Sequence, residues 1–187
     1  MTKVLGTKRL FSNADDVECM EFLEGVCDIV AIPEYQKLRG FTHHMYTTRY
    51  QHCLNVAWYS YLMAKRAGLD SISCARGAMM HDFYLYDTRR DPLPIAGKHL
   101  KIHPAIALKN AQKYFTLNEV ETDCIIHHMW PKVAGRPTTK EGYIVTVADK
   151  YAASLEWCSH QVYAVPRVIG AVFAGISGNT QTVRSDK

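Results

Sequence analysis

Residues 77–83 read Gly-Ala-Met-Met-His-Asp-Phe, and this stretch does most to decide the fold. Small and apolar residues precede the adjacent pair His81-Asp82, which predicts a buried helix that ends in two polar side chains. A buried carboxylate is costly without a compensating charge, and a metal ion beside an imidazole supplies one. An ordinary helix cap would produce the same pair, so the interpretation as a metal site depends on further candidate ligands elsewhere in the sequence. These are His52, His103, His127, His128 and Asp149.

The length and composition are typical of one compact domain with a real core. The chain has 187 residues, of which 48% are hydrophobic and 21% are charged. The net charge of +4 does not require a nucleic-acid partner, although it would suit a small anionic substrate. Residues 1–16 lack the apolar core of a signal peptide, and no apolar run approaches membrane-spanning length, so we expect no membrane association.

The six cysteines are widely scattered, and none forms a C-x-x-C pair. Several lie in apolar stretches, where a free cysteine behaves as a small hydrophobic residue. We therefore expect reduced, structural cysteines and no cysteine zinc site, which favours a cytoplasmic protein.

Apolar periodicity predicts helices throughout and no strand longer than a few residues. The predicted helices cover about residues 15–30, 49–66, 70–82, 103–115, 118–129 and 142–158, with loops over 84–98 and 131–139. In the fourth, Pro104 is expected at the first helical position and His103 at the cap. The prediction is an all-α, single-domain helical bundle over residues 15–165. A polar lead (1–14) precedes it, and a C-terminal extension (166–187), expected to fray, follows it.

The helix over residues 49–66 is apolar nearly all round, which predicts a central, buried position. Gly68 suits the C-terminus of this helix, and Asp70 suits the N-cap of the next one. A hairpin of these two helices would bring His52 close to the His-Asp pair.

The candidate ligands are all imidazole nitrogens or carboxylate oxygens, a set that suits Fe, Mn, Zn, Ni or Co. One ion could be held by His52, His81, Asp82 and Asp149. A second ion could be held by Asp82, His103 and either His127 or His128. The two oxygens of Asp82 would then bridge the ions.

His127 and His128 are not expected to bind the same ion, because neighbouring helical positions diverge by roughly 100°. The spacing to Pro131 favours His127 as the ligand. His128 would then contact the substrate or transfer protons.

The order His52 … His81-Asp82 … Asp149 resembles the H…HD…D signature of the HD-domain superfamily of metal-dependent phosphohydrolases. The resemblance covers roughly residues 33–160. Its local matches are Tyr50-Gln51-His52-Cys53-Leu54-Asn55-Val56-Ala57, Met80-His81-Asp82 and Ala148-Asp149-Lys150. In addition, His103-Pro104 and His127-His128 resemble the extra ligands of two-metal members, including the HD-GYP cyclic-dinucleotide phosphodiesterases.

Two departures separate this chain from the HD-GYP type. Met129-Trp130-Pro131 follows the paired histidines where that type has Gly-Tyr-Pro, and the residues after His81-Asp82 lack its lysine. The resemblance therefore does not favour cyclic-dinucleotide cleavage.

The resemblance implies an HD-type helical bundle and a metal-dependent phosphohydrolase, with two divalent transition-metal ions that activate water. Its substrate would be a phosphomonoester or phosphodiester, such as a nucleotide. Asp82 would bridge the ions and orient the site, and His128 or another, unassigned group would handle protons. Two alternatives stay open: a di-iron oxygenase on the same scaffold, as in inositol oxygenase, and a regulatory module that binds a nucleotide without turnover. A homo-oligomer is compatible with any of these.

An anionic substrate requires cations or other donors near the site. Lys150, beside Asp149, is the first candidate, and Arg49 and His44 are further substrate-binding candidates. Additional basic residues in or near the loops are Arg89, Arg90, Lys132 and Arg136.

Overall fold

The structure, a computed structural model, describes residues 17–43, 47–88, 90–94 and 96–158. Its elements are α1 (Val17–Ala31), α2 (Pro33–Gln36), a 3-10 turn (Lys37–Gly40), β1 (Thr42–His43), β2 (Thr47–Thr48), α3 (Arg49–Arg66), α4 (Ser71–Met80), α5 (His99–Ala111), α6 (Glu119–His127) and α7 (140–158). The all-α prediction is confirmed. The predicted N-terminal lead and the C-terminal extension lie outside the described residues.

The small β-ribbon stands just before α3. β1 and β2 pair antiparallel, with Thr42 opposite Thr48 and His43 opposite Thr47. Thr48 then caps α3, because its hydroxyl accepts the backbone N–H of Gln51 at 3.2 Å. The ribbon therefore lies against the first turns of α3.

The predicted hairpin of α3 and α4 is confirmed. Both faces of α3 are buried, as its all-round apolar pattern predicts. Gly68 reverses the chain with a φ of +67°, which favours glycine. Asp70 then caps α4, its carboxylate accepting the N–H of Ser73 at 2.9 Å. The end of α4 thereby lies beside the beginning of α3.

α4 is enclosed by α1, α3 and α6. It packs closely against α6 at Gly77, where an added Cβ would lie only 2.5 Å from the Cβ of Cys124. A glycine is needed at this position because a larger residue would force the two helices apart. The close packing aligns the C-terminal ends of both helices.

The predicted start of α5 was wrong. The helix begins at His99, four residues before His103, and Lys98 is its N-cap. Pro104 is the sixth residue of the helix, where it removes the hydrogen bond to the carbonyl of Leu100 and its ring crowds that carbonyl. Ile102 lies in this extra turn and is buried, and the burial of its apolar side chain is favourable.

The loop before α7 is held by one carboxylate. Asp123 accepts hydrogen bonds from the backbone and hydroxyl groups of both Thr138 and Thr139, at 2.6 to 3.2 Å. The hydroxyl of Thr139 in turn accepts the N–H of Gly142 in the first turn of α7, at 3.0 Å. Asp123 thus fixes where α7 starts relative to α6.

Two further features of the described residues are the state of the cysteines and the character of the helices. All six cysteines lie in the described residues, and each is a free thiol. No helix in the described ranges combines the length and apolarity needed to cross a membrane.

Candidate metal centre

Five helices deliver six side chains to one cluster inside the bundle. Five of the six are at most 4% exposed, and the Asp149 side chain is 16% exposed. They come from the second turn of α3, the end of α4, the middle of α5, the end of α6 and the middle of α7. In that order they are His52, His81 with Asp82, His103, His128 and Asp149.

The first group of donor atoms surrounds Asp149. Its Oδ1 lies 3.1 Å from Nε2 of His52 and 3.9 Å from Nε2 of His81. The three residues offer donor atoms within 4.8 Å of one another, a separation that one metal ion can span.

The second group surrounds Asp82. Its Oδ1 lies 3.4 Å from Nε2 of His103 and 3.7 Å from Nε2 of His128. Its other oxygen, Oδ2, lies 3.9 Å from Nε2 of His81, which belongs to the first group. Asp82 therefore stands between the two groups, with one oxygen toward each.

Three of the imidazoles have a fixed tautomer. Their Nδ1 atoms lie 2.7 to 2.9 Å from main-chain carbonyl oxygens, which can only accept. Each Nδ1 must therefore carry the proton, and in the neutral ring each Nε2 presents a lone pair to the cluster, as in metal-binding histidines. The pairs are His81 with Ala78, His103 with His99, and His128 with Ile125.

Two acceptor atoms at the centre lack a partner. Among the described residues, Nε2 of His81 and Oδ1 of Asp82 are buried and make no hydrogen bond. A buried, unsatisfied polar atom costs roughly 1–3 kcal/mol. The donor set and these two atoms fit a divalent cation, whose binding would satisfy both.

The charges of the cluster also suit a cation. Burial opposes ionisation of Asp82, but the interactions with His81 and His103 hold its pKa well below the usual range. Burial likewise opposes ionisation of Asp149, whose pKa is lowered by the hydrogen bond from His52. Burial and His81 together lower the pKa of His128 to about 3, so this ring is neutral near pH 7.

His52 differs from the other imidazoles because its Nδ1 faces a carboxylate. Glu156, on α7 and 3% exposed, lies 3.0 Å from this nitrogen. Burial lowers the pKa of His52, but its bonds to Asp149 and Glu156 outweigh this and raise it to about 10. Glu156 was not predicted as a site residue from the sequence, although its position seven residues after Asp149 places both on one face of α7.

His43 was also missed. Its ring stacks on that of His52, with centroids 4.1 Å apart, and it lines the cavity in front of the cluster. It offers a third possible donor group together with His52 and Asp82. The predicted substrate-binding residue His44 lies outside the described residues. The sequence signal for His43 was its place beside His44 in an adjacent histidine pair.

His127 lies apart from the cluster. Its Nδ1 donates to Oδ1 of Asp123 at 2.6 Å, and its side chain is 26% exposed. The structure brings His128, and not His127, to Asp82, which corrects the preference for His127. The physical reason is the helical divergence that separates the two residues: one ring meets the core and the other meets the loop held by Asp123.

A cavity of about 470 Å³ opens onto the cluster. Lys150 lines it, with Nζ 3.3 Å from the carbonyl of His128 and 4.0 Å from Oδ2 of Asp149. Lys132 lines it as well, whereas Arg90 and Arg136 do not. Arg89 lies outside the described residues.

Arg49 lines the same cavity but is engaged in the fold. It is 2% exposed and donates to the carbonyls of Tyr84 and Tyr86, at 2.6 and 3.2 Å. Its guanidinium stacks 3.6 Å from the ring centroid of Tyr84. These contacts hold the segment after Asp82 in place.

Comparison with known proteins gives one match. A family model described as "HD domain" matches residues 49–154, more than half of the chain. The matched span contains all six residues of the cluster, and it ends two residues before Glu156. No curated protein and no solved structure matches the chain.

Proposed function

This chain belongs to the HD domain family, and from that premise we propose that it is a metal-dependent phosphohydrolase with two ions in its site. The proposal is carried by one observation, the buried convergence of imidazole Nε2 atoms and carboxylate oxygens on both sides of Asp82. The first ion would be held by His52, His81, Asp82 and Asp149. The second would be held by Asp82, His103 and His128.

Divalent ions in such a site lower the pKa of a coordinated water and withdraw charge from the phosphoryl oxygens. Asp82 would orient the site, because each of its oxygens faces one group of imidazoles. His128 would act as a ligand and not as a proton-transfer group, since its Nδ1–H already donates to the carbonyl of Ile125. This replaces the proton-handling role expected from the sequence.

The substrate would be a small phosphomonoester or phosphodiester of nucleotide size. A cavity of about 470 Å³ falls within the range of small-molecule sites. Lys132 and Lys150 line it and would place positive charge near a phosphate. Arg49 would contribute by holding the cavity wall at Tyr84.

The test is phosphate release from a panel of nucleoside monophosphates, cyclic nucleotides and aryl phosphates by protein loaded with Mn²⁺ or Co²⁺. We expect turnover of at least one class and a loss of at least about 100-fold in Asp82→Ala. Glu119→Gln, an exposed carboxylate at the start of α6, is the matched control and should retain activity. Absence of release from every substrate by metal-loaded protein would contradict the proposal.

The same assay separates a second candidate, a di-iron oxygenase. The oxygenase is a candidate because a donor set of imidazoles and carboxylates, without thiolates, also suits iron. Substrate-dependent oxygen uptake by iron-loaded protein, without phosphate release, would support it. Tight nucleotide binding without either reaction would instead support a regulatory module.

A further inference from the structure

We propose that Glu156 makes the two metal positions unequal, so that the position of His52, His81 and Asp149 binds its ion first and more tightly. This inference rests on the two-ion site proposed above. Glu156 would act as a positioning residue, through His52, and would not itself contact an ion. It lies beyond the part of the chain that the family model matches.

The contact between Glu156 and His52 is buried and well oriented. Nδ1 of His52 lies 3.0 and 3.2 Å from the two carboxylate oxygens, and the Glu156 side chain is fully enclosed. Asn55, one turn along α3 from His52, donates to Oε1 of Glu156 at 2.9 Å. Gln51 in turn donates to the amide oxygen of Asn55 at 2.8 Å. Glu156 is therefore held from two sides on α3.

This contact sets His52 apart from the other three imidazoles. Their Nδ1–H groups donate to main-chain carbonyls, which are neutral acceptors. A carboxylate acceptor polarises the ring more strongly and makes its other nitrogen a better electron-pair donor to a metal. In His52 that other nitrogen, Nε2, faces Asp149 in the first group.

The distribution of negative charge points in the same direction. The first position is bounded by the carboxylates of Asp149 and Asp82, with Glu156 directly behind His52. The second position shares Asp82 and is otherwise bounded by His103 and His128. The carboxylates of the first position outnumber the positive charge of Lys150, whose Nζ lies 4.0 Å from Oδ2 of Asp149, so a divalent cation is attracted more strongly to the first position.

The experiment is a calorimetric titration of the metal-free full-length protein with Zn²⁺, and in parallel with Co²⁺ followed by visible absorption. Wild type should show a tighter and a weaker binding step. Glu156→Gln keeps the size of the side chain and an acceptor oxygen but removes the charge. It should weaken the tighter step by roughly 10–100-fold, change its Co²⁺ spectrum, and leave the weaker step unchanged within about threefold.

Glu141→Gln is the matched control, because Glu141 is also a buried carboxylate on α7 but accepts the backbone N–H of Asp70 far from the cluster. Both binding steps should be unchanged in this variant. If Glu156→Gln does not fold, Asn55→Ala replaces it, since it removes one support of Glu156 and should weaken the tighter step only.

The outcomes separate the inference from the function on which it rests. Two steps that Glu156→Gln leaves unchanged, or weakens equally, would overturn the inference and leave the two-ion site standing. A protein that binds no ion at all would overturn the proposed function, and the inference with it.

Discussion

Nε2 of His103 and Nε2 of His128 face each other at 2.9 Å, although both rings use their Nδ1–H to donate to main-chain carbonyls. With both rings neutral, the two Nε2 atoms present lone pairs to each other, and a hydrogen bond between them would require a proton on one of them. Burial keeps His128 neutral by lowering its pKa to about 3. A shared cation beside Asp82 would remove the repulsion between two neutral rings, because both lone pairs would then have an acceptor.

The first prediction separates the two adjacent histidines. His128→Ala should reduce the metal content of protein purified without chelator from about two ions per chain to about one, because it removes a donor of the second position. His127→Ala should leave about two ions, because the His127 ring is bonded to Asp123 and faces away from the cluster. Elemental analysis measures both. A loss in His127→Ala alone would show that our assignment of the ligand is wrong.

Removal of metal should lower the melting temperature. An ion present at 100 times its dissociation constant stabilises the folded state by about 2.7 kcal/mol. For a chain of this size each kcal/mol corresponds to about 2–4 °C, so we expect a decrease of roughly 5–10 °C for each ion removed. Calorimetry with and without chelator measures this. Asp82→Ala, which lacks the shared ligand, should show a smaller decrease, and an unchanged wild-type transition would contradict the prediction.

Asp123→Asn should destabilise the protein by roughly 1–3 kcal/mol, because an amide cannot accept all the bonds from Thr138, Thr139 and His127. The effect depends on pH. Burial opposes the charge of Asp123, but the bonds from Thr139 and Thr138 lower its pKa to about 2, below an unfolded value of about 3.9. The stabilisation is therefore complete above about pH 4 and is lost as the pH falls through about 2.

Urea unfolding of wild type and Asp123→Asn at about pH 5 and pH 3 measures this difference. The gap in the free energy of unfolding between the two proteins should narrow at the lower pH. Glu119 is an exposed carboxylate on the same helix, and the free energy of unfolding of Glu119→Gln should differ from that of wild type by less than about 1 kcal/mol at both pH values. A gap for Asp123→Asn that widens on acidification would refute the assigned role.

Gly77→Ala should destabilise the protein by roughly 1–3 kcal/mol, because its Cβ would lie 2.5 Å from Cys124 and 3.2 Å from the carbonyl of Glu121. Gly40→Ala is the control, since a Cβ there meets nothing within 4 Å. Its stability should change by less than about 1 kcal/mol. Equal effects of the two substitutions on denaturant unfolding would show that the helices tolerate separation at Gly77.

The bounds of a helix were predicted well where the residues at both of its ends, such as caps and turn glycines, mark where it begins and ends. α3 begins and ends as predicted, at Arg49 and Arg66, and the turn at Gly68 and the cap at Asp70 lie where expected. α5 was placed wrongly because proline is favoured at the first helical position, whereas the structure has Pro104 inside the helix. Ile102, in the turn that precedes Pro104, is buried, and burial is not a local property of the sequence.

The cluster could be predicted only in part. The order of His52, His81-Asp82 and Asp149 was enough to identify the family, and the structure brings these residues together. The choice between His127 and His128 depends on how α6 is rotated against α4, which the close packing at Gly77 sets. The role of His128 as a ligand remains a proposal.

Periodicity, caps and residue types are local properties, so the all-α class, the hairpin of α3 and α4, and the set of residues with the chemistry to bind metal could be predicted from the chain alone. The three-dimensional packing was needed to show which nitrogen of each histidine faces the cluster and that Glu156 lies behind His52. Those outcomes depend on side chains from different helices meeting at 3 to 4 Å. Contacts of that kind follow from the packing of whole helices, which no spacing along the chain encodes.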